Sequence, residues 1–442
     1  MTEKVLVLGL SKSGISAAKY LNSKNYDVYL TESKEQVDFE KVKDLEDLGI
    51  KVEYGHHSDE FIANSSFAVT SPGIPPKSEI FRRIKEKNIP IIGEVELAYL
   101  NTDIPFIAIT GTNGKTTTTA LVSHILSKKF KAPACGNIGL PPTGLIEDKQ
   151  DYLVCEISSY QAEMTEKFAP FISCWTNFTP DHIDWHGGLE NYFKAKAKIF
   201  KDNQAPQFAV LNGNDEKLLE FGKELNRSKV FYIGLKNTSN SCFIEENKIF
   251  YRFNSSEEKI MSLEDCPLVG NHNYENVMFA IVCAKLCNME NSDIVQAIKT
   301  FKAPEHRLEK VRDLEGITFY NDSKATNPEA SIVAINSFEN KNVALILGGR
   351  DKNTDLTEMC DAINKHIKTV ILIGEATERF EENLKKNGFN NIIKEETLES
   401  AVDKSINLKP DVVLLSPACA SFDMFNSYEH RGEVFKNYVL SK

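Results

Sequence analysis

Residues 107–119 read IAITGTNGKTTTT, and this stretch decides how the rest of the chain is read. An apolar, strand-like run, Phe106–Ile109, passes straight into Gly111, Thr112, Asn113, Gly114 and Lys115. The threonines from Thr116 and Thr117 onward then open a segment with helical periodicity. A strand, a glycine turn and a helix N-terminus together make an anion site. Backbone N–H groups converge there, the helix dipole adds partial positive charge, and glycine lets phosphate oxygens approach the main chain. Lys115 supplies a cation for β- and γ-phosphates, and the Thr116 hydroxyl is placed to join the coordination of Mg²⁺. The loop is a shortened G-T-N-G-K-T form that lacks the upstream glycine of the longer pattern. A helix cap with a solvated lysine is the bland alternative. Lys-Thr directly behind a glycine, in a turn directly behind a strand, argues for phosphate instead.

The chain has 442 residues, more than one hydrophobic core holds, so about two to four domains are expected. Hydrophobic residues make up 41% and charged residues 26%, ordinary for a globular protein. A net charge of -11 argues against a broad nucleic-acid surface, so any phosphate site is local. The nine cysteines are scattered without a C-x-x-C, which fits reduced thiols in a cytoplasmic protein. The opening MTEKVLVLGL is too short for a signal-peptide core and reads as a first strand. No apolar run is long enough to span a bilayer.

Working outward, Val5–Leu8 is a continuous apolar run, as a strand buried on both faces should be. It continues as GLSKSG into a helical pattern and a second strand, Val28–Leu30. The dinucleotide fingerprint is degraded: Gly9 and Gly14 are present, but Ser11 stands where a second glycine would admit a pyrophosphate. A nicotinamide site is the weak reading. A site for another nucleotide and a purely structural β-α-β unit stay open, with Glu32 available to a ribose hydroxyl. The β-run Ile89–Ile92 closes a first domain, residues 1–93.

A second domain, residues 94–302, holds the phosphate loop. In it, CGNIG (Cys135–Gly139) is a Gly/Asn turn, and Leu153–Ile157 is a buried strand with Glu156 near its C-terminal end. Ligands of open α/β sheets bind at that edge, and an acid there needs a positive partner, which Mg²⁺ would provide. The alternative is a glutamate that caps the next helix. CWTNFTPDHIDWH (Cys174–His186) brings Asp181, His182, Asp184 and His186 into one turn, without a fourth ligand at zinc spacing. In the helix Leu189–Lys201, Tyr192, Ala195, Lys196, Ile199 and Phe200 share one face at 3.6-residue periodicity, while Lys194 and Lys198 point away. Lys196 therefore stands within an apolar stripe. It must snorkel, find an acid, lose its proton or be modified. GNHNYEN then enters a helix whose edge carries Asn273 and Asn276, suited to base or phosphate contacts, although capping explains Asn273 alone. Nothing in the sequence resembles a Ser-His-Asp triad or a cysteine nucleophile with its base.

A third domain, residues 303–442, alternates strands and helices again, so all three are expected to be α/β, two Rossmann-like units around a P-loop-type ATPase domain. Its polar loops, Asp322–Thr326, Lys352 and Ser421, all follow strands.

The set GTNGKTT, LVCEISSYQ, TNFTPDHIDWH, YFKAKAKIF, NHNYEN, EHR, NDSKATNP and LLSPACASFDMF resembles the Mur ligases across essentially the whole chain. Within that family the resemblance is strongest to the member that adds D-glutamate. It implies that ATP phosphorylates the terminal carboxylate of UDP-N-acetylmuramoyl-L-alanine and that the D-glutamate amine attacks the acyl phosphate. It implies ATP and two Mg²⁺ ions, with Lys115 and Thr116 at the phosphates and Thr116, Glu156, His182 and a carbamylated Lys196 at the metal. Asn273, Asn276, Arg307, Asp322 and Lys324 match adenosine and phosphate contacts. Asn137, Ser158 and Gln161 match positions facing the muramoyl-alanyl portion, and Lys12, Ser13, Ser33, Lys34 and Gly73 match the uridine-diphosphate pocket. Thr326, Lys352, Ser421 and Phe422 fall where D-glutamate is held. A cytoplasmic monomer acting on small molecules, with no nucleic acid or membrane partner, is expected. The rivals are another Mur ligase, a folylpolyglutamate-synthetase-like ligase and a nucleotide-binding module without catalysis; the loop T-N-P-E lacks the D-N-P-R arginine of the ligase that adds the third residue.

Overall fold

The computed structural model describes residues 2–200, 208–268, 270–302, 304–351 and 353–442, the Asp184 side chain excepted. Contacts gather the chain into two compact units, Met1–Asp265 with Glu275–Lys299, and Cys266–Tyr274 with Thr300–Lys442.

The first unit contains two sheets. β1 (Lys4–Leu8), β2 (Asp27–Glu32), β3 (Lys51–Tyr54), β4 (Phe67–Thr70) and β5 (Ile91–Gly93) form a five-stranded sheet in the order β3-β2-β1-β4-β5. Every pair in it is parallel. Val5, Leu6, Val7 and Leu8 are all fully buried, the result expected of a strand covered on both faces. The expected strand at 89–92 is realised two residues later, because Pro90 cannot donate to the ladder while Ile91 pairs with Ala68.

The second sheet comprises β6 (Phe106–Thr110), β7 (Ala134–Gly136), β8 (Leu153–Glu156), β9 (Ile172–Trp175), β10 (Phe208–Asn212), β11 (Lys229–Ile233), β12 (Ser241–Glu245), β13 (Lys248–Phe253) and β14 (Ser256–Ser262). Its order is β14-β13-β12-β11-β10-β9-β6-β8-β7, parallel as far as β12 and antiparallel in the last two pairings. β6 lies between β8 and β9, with Ile109 opposite Glu156 and Thr110 opposite Trp175. The C-terminal ends of three adjacent strands therefore present the glycine loop, Glu156 and Thr176 side by side. One apolar cluster joins both sheets, running from Val5, Leu30 and Val69 through Val95, Leu97 and Phe106 to Trp175 and Phe200.

The helix after residue 188 is shorter than its pattern predicts. It is α-helical over Leu189–Ala197 and tightens to a 3₁₀ turn at Lys198–Phe200; Lys201 lies outside the described residues. Tyr192, Ala195, Lys196, Ile199 and Phe200 are all buried, so the periodicity picked the inward face.

In the second unit β15 (Glu309–Leu314), β16 (Ile317–Asn321), β17 (Val343–Gly348), β18 (Thr369–Ile373), β19 (Ile392–Lys394) and β20 (Val412–Leu415) take the order β15-β16-β20-β17-β18-β19. Only the β15–β16 pairing is antiparallel. β16, β20 and β17 are neighbours, so the loops opened by Asp322, Ser416 and Gly349 share one sheet edge. The helix Asn271–Leu286 is divided between the units: Asn273 groups with the second and Asn276 with the first.

Candidate active site

The glycine turn is held open by strand-end residues of β9. Thr112 N–H donates to the Asn177 carbonyl (3.1 Å), Asn113 N–H to Asn177 Oδ1 (2.8 Å), and Thr176 Oγ1 to the Asn113 carbonyl (2.5 Å). Two glycines make this path possible. Gly111 has φ +148° and Gly114 φ +82°, and Gly114 is the N-cap of the helix Lys115–Leu126. A Cβ on Gly114 would meet Asn276 Oδ1 at 2.6 Å, and that oxygen accepts from the Thr118 hydroxyl (3.0 Å). Gly114 has no side chain with which to cap this helix, and the N-terminal end of the helix faces the turn. A Cβ on Gly111 would lie 1.9 Å from Thr176 Oγ1. Gly111→Ala is therefore expected to cost at least about 2 kcal/mol through strain and overlap. Thermal unfolding should show a lowered Tm that ADP no longer raises.

Two lysines meet on one carbonyl of this turn. Lys115 Nζ donates to the carbonyls of Gly111 (2.9 Å) and Thr112 (2.8 Å), and Lys196 Nζ donates to Gly111 O (2.7 Å). Lys196 does not snorkel: it is 1% exposed, with its amine over the Tyr192 ring. Burial, reinforced by the charge of Lys115, holds its pKa well below the usual lysine range, against the pull of Asp181 and Glu156. Burial there therefore weakens the hold of this amine on its proton.

Glu156 is 1% exposed; its Oε1 accepts from Asn137 Nδ2 (2.8 Å), and its Oε2 has no hydrogen-bond partner among the described residues. It does not cap the following helix. Ser158 does, accepting from Gln161 N–H (3.2 Å) while Gln161 Oε1 accepts from Ser158 N–H (3.0 Å). His182 takes a left-handed backbone (φ +51°) that turns its ring toward Tyr160 and Tyr192. Burial lowers the His182 pKa, with Lys115 and Lys196 adding to the effect and Asp181 opposing it, so a neutral ring nitrogen is available as a ligand. The Glu156 carboxyl oxygen that lacks a partner among the described residues, the His182 ring and the Thr116 hydroxyl are oxygen and nitrogen donors of a kind that fits Mg²⁺. Among the described residues no three His, Cys, Asp or Glu side chains converge as a metal site.

A cavity of 690 Å³ opens beside this centre. Lys12, Ser13, Ser33, Lys34 and Gly73 line it from the strand ends of the first sheet, and Asn137 and Gln161 from those of the second. Glu32, read as a ribose acceptor, also lines it, while its carboxylate accepts the N–H groups of Leu10 (2.9 Å) and Lys34 (3.1 Å). Ser158 serves the helix cap one step away from the cavity.

Sequence reading missed a cluster next to His182. The His186 ring stacks on Tyr160, with Nε2 3.0 Å from Ser159 Oγ and Nδ1 3.5 Å from Glu163 Oε2. A serine, a histidine and an acid thus do come together, contrary to the expectation from sequence. Ser159 is 2% exposed, so the arrangement braces the loop and offers no nucleophile to a substrate. Ser159 and His186 stand 27 positions apart in the sequence, and no spacing rule would have joined them.

In the second unit Asp322 is buried, with Oδ1 accepting from Leu308 N–H (3.2 Å) and Oδ2 from Ser416 Oγ (2.8 Å). Burial pushes its pKa up to about 7, against these hydrogen bonds and the charges of Arg307 and Arg431. Lys324 Nζ stands over the Tyr428 ring (5.3 Å). Arg431, 1% exposed, donates to the carbonyls of Ser323 (2.8 Å) and Cys419 (3.1 Å), so one buried guanidinium ties the Asp322 loop to the Ser421 loop. Ser421 is buried, whereas Phe422 is 63% exposed. Thr326 follows in the Asp322 loop, and Lys352 lies outside the described residues.

Comparison with known proteins places the whole chain. The Mur ligase MurD-like N-terminal domain matches residues 3–93, the Mur ligase middle domain residues 109–284, and the Mur ligase glutamate ligase domain residues 306–419. The chain belongs to the Mur ligase family. A UDP-N-acetylmuramoylalanine–D-glutamate ligase of Koribacter versatilis is 41% identical over 99% of this chain and 97% of its own. One from Thermoanaerobacter pseudethanolicus is 39% identical over 99% and 98%. Among solved structures, UDP-N-acetylmuramate–alanine ligase MurC of Thermotoga maritima superposes with a TM-score of 0.58 at 20% identity, covering 99% of this chain and 100% of that one. That likeness supports the three-domain α/β fold of a Mur ligase.

Proposed function

We propose that this Mur ligase joins D-glutamate to UDP-N-acetylmuramoyl-L-alanine at the expense of ATP, a step of peptidoglycan precursor synthesis. The observation that carries the reaction type is the meeting of Lys115 and Lys196 on the Gly111 carbonyl, within the field of Glu156. The substrate pair is supported by relatives near 40% identity over almost the entire chain. Residues 1–93 take the uridine nucleotide, 94–302 take ATP, and 303–442 take the amino acid.

The triphosphate lies in the turn Gly111–Thr117, held by backbone N–H groups and by Lys115, which leaves the loop carbonyls for the phosphates. Asn276 fixes the turn from the helix behind it; Asn273, Arg307, Asp322 and Lys324 are the remaining nucleotide contacts. The sugar nucleotide occupies the 690 Å³ cavity, with Asn137 and Gln161 the contacts from the middle domain. Its terminal carboxylate attacks the γ-phosphorus, ADP leaves, and an acyl phosphate forms. The D-glutamate amine then adds to the acyl carbon, loses a proton, and inorganic phosphate departs with the amide formed. No protein nucleophile is needed; positioning and charge neutralisation do the work. Thr116, Glu156, His182 and Lys196 would hold Mg²⁺, which neutralises phosphate charge when bound. Lys196 joins that set as a carbamate: its neutral amine adds to CO₂ and releases a proton, which replaces a buried amine by an anionic oxygen ligand. Thr326, Ser421, Phe422 and Lys352 hold D-glutamate, with Lys352 the partner for a carboxylate.

The test is an amino-acid panel read by phosphate release. Release should require UDP-N-acetylmuramoyl-L-alanine, Mg-ATP and D-glutamate together. Equal release with L-glutamate or L-lysine would overturn the substrate assignment, and nucleotide binding without release would make the chain a non-catalytic module.

A further inference from the structure

Behind the large cavity lies a buried carboxyl that the reaction does not use. Glu94, 3% exposed, opens the helix Glu94–Leu100. Its Oε1 accepts both the N–H (2.7 Å) and the hydroxyl (2.6 Å) of Thr143, and that hydroxyl lies 2.8 Å from Ser16 Oγ. Its Oε2 has no hydrogen-bond partner among the described residues. A cavity of 10 Å³ adjoins the carboxyl, lined by Thr70, Pro72, Gly93, Val95, Gln161 and Met164 as well as Glu94. That is about the room one water needs.

These contacts converge on the walls of the larger cavity. Pro72 and Gln161 line both cavities. Thr143 lies two residues after Pro141, where the wall segment ends, and Ser16 belongs to the helix whose first turn supplies Lys12 and Ser13. One carboxyl thus reaches the segments that carry each side of the pocket, one directly at Thr143 and the other through the Thr143 hydroxyl at Ser16.

We propose that Glu94 is the positioning residue of the sugar-nucleotide cavity, holding its two walls in register through Thr143, Ser16 and a single water that links Oε2 to the Gln161 side chain. The inference rests on the assignment of that cavity to the uridine nucleotide. Around Glu94, Thr143, Ser16, Thr70 and Gln161 carry no charge. Glu96 on the same helix is turned to the N–H groups of Glu166, Lys167 and Phe168. The titratable neighbour is the Cys155 thiol, pushed well above its ordinary range by burial first, then by Cys135, Glu94 and Glu156. With no cation beside it among the described residues, Glu94 is pushed by burial up to about 7. The folded state therefore binds this proton more tightly than the unfolded one, and the contribution to stability declines as pH rises from the ordinary carboxylate range through about 7.

The experiment is steady-state kinetics on the full chain, with thermal unfolding of the same variants across pH. Glu94→Ala should raise KM for UDP-N-acetylmuramoyl-L-alanine about tenfold, with kcat and KM for ATP within about twofold, since only the wall of one cavity loosens. Where that variant is too unstable to assay, Thr143→Val reads the same link. Glu94→Gln keeps the acceptor for Thr143 but cannot ionise. Its KM should stay near wild type, and its Tm advantage over wild type should be absent at pH 5 and present at pH 8. Unchanged KM in both Glu94→Ala and Thr143→Val overturns the inference. So does a parallel rise of every KM, or a Tm difference that ignores pH. A wild-type chain that turns over ATP with some other acid, but not with the uridine substrate, removes the cavity assignment itself and is distinguished by that control.

Discussion

Lys196→Ala is expected to lower phosphate release by on the order of 10²- to 10³-fold, the scale set by removing one charge-stabilising group from a closed site, and a short carboxylate such as acetate should restore part of it. The side chain cannot be explained as a snorkelling lysine: it is 1% exposed on the face it shares with Tyr192, Ile199 and Phe200, and its amine bonds a backbone carbonyl rather than an acid. Burying a protonated amine there, beside Lys115, is costly, which is why its proton affinity falls. An amine with a weakened hold on its proton is a better nucleophile, and a carbamate formed on it would add an anion beside Glu156. Deletion to alanine leaves a cavity that a free carboxylate can enter. Rescue that ignores the anion, or an unaffected rate, would mean that Lys196 only fills space.

Lys115→Ala should remove roughly 3–4 kcal/mol of transition-state stabilisation, a drop of on the order of 10²- to 10³-fold in kcat. Its amine now rests on the carbonyls of Gly111 and Thr112, within the turn where the outer phosphates are proposed to lie. KM for the sugar nucleotide should change little, because Lys115 does not line the 690 Å³ cavity. Lys115→Arg is not expected to restore activity: a planar fork does not fit a site shaped for a compact ammonium. A mild loss in single-turnover kinetics would shift the triphosphate elsewhere.

The sequence exposed those parts of the site that sit within one local pattern. A strand, two glycines, a lysine and a threonine occupy consecutive positions, and the turn they form follows from local geometry alone. Lys196 was legible because helical periodicity is itself local: a lysine at an inward position is visible without any neighbour. The parallel sheets were legible from runs such as Val5–Leu8 and Leu153–Ile157, each too apolar to have a solvent face. What could not be read depends on contacts between distant segments. Glu94 reads as an ordinary first-turn acid until the fold places Thr143 on one of its oxygens and leaves the other without a partner among the described residues. Arg431 is in sequence one more charge near the C-terminus, until the fold sets it against two loops of the second sheet edge. Ser158 and Gln161, read as substrate contacts, turn out to share a capping box, and Gln161 alone also reaches the cavity. His186, Ser159 and Glu163 needed the turn after β9 to fold back on the helix after β8, which no single-segment period records.

The most direct measurement is a crystal structure of the chain with Mg²⁺ and a non-hydrolysable ATP analogue. The β- and γ-phosphates should lie in the Gly111–Thr117 turn, within hydrogen-bond distance of its N–H groups, with Lys115 Nζ moved from the loop carbonyls onto phosphate oxygen. Density for the triphosphate anywhere else, or a turn still closed by Lys115 on Gly111 and Thr112 with nucleotide bound, would contradict the account.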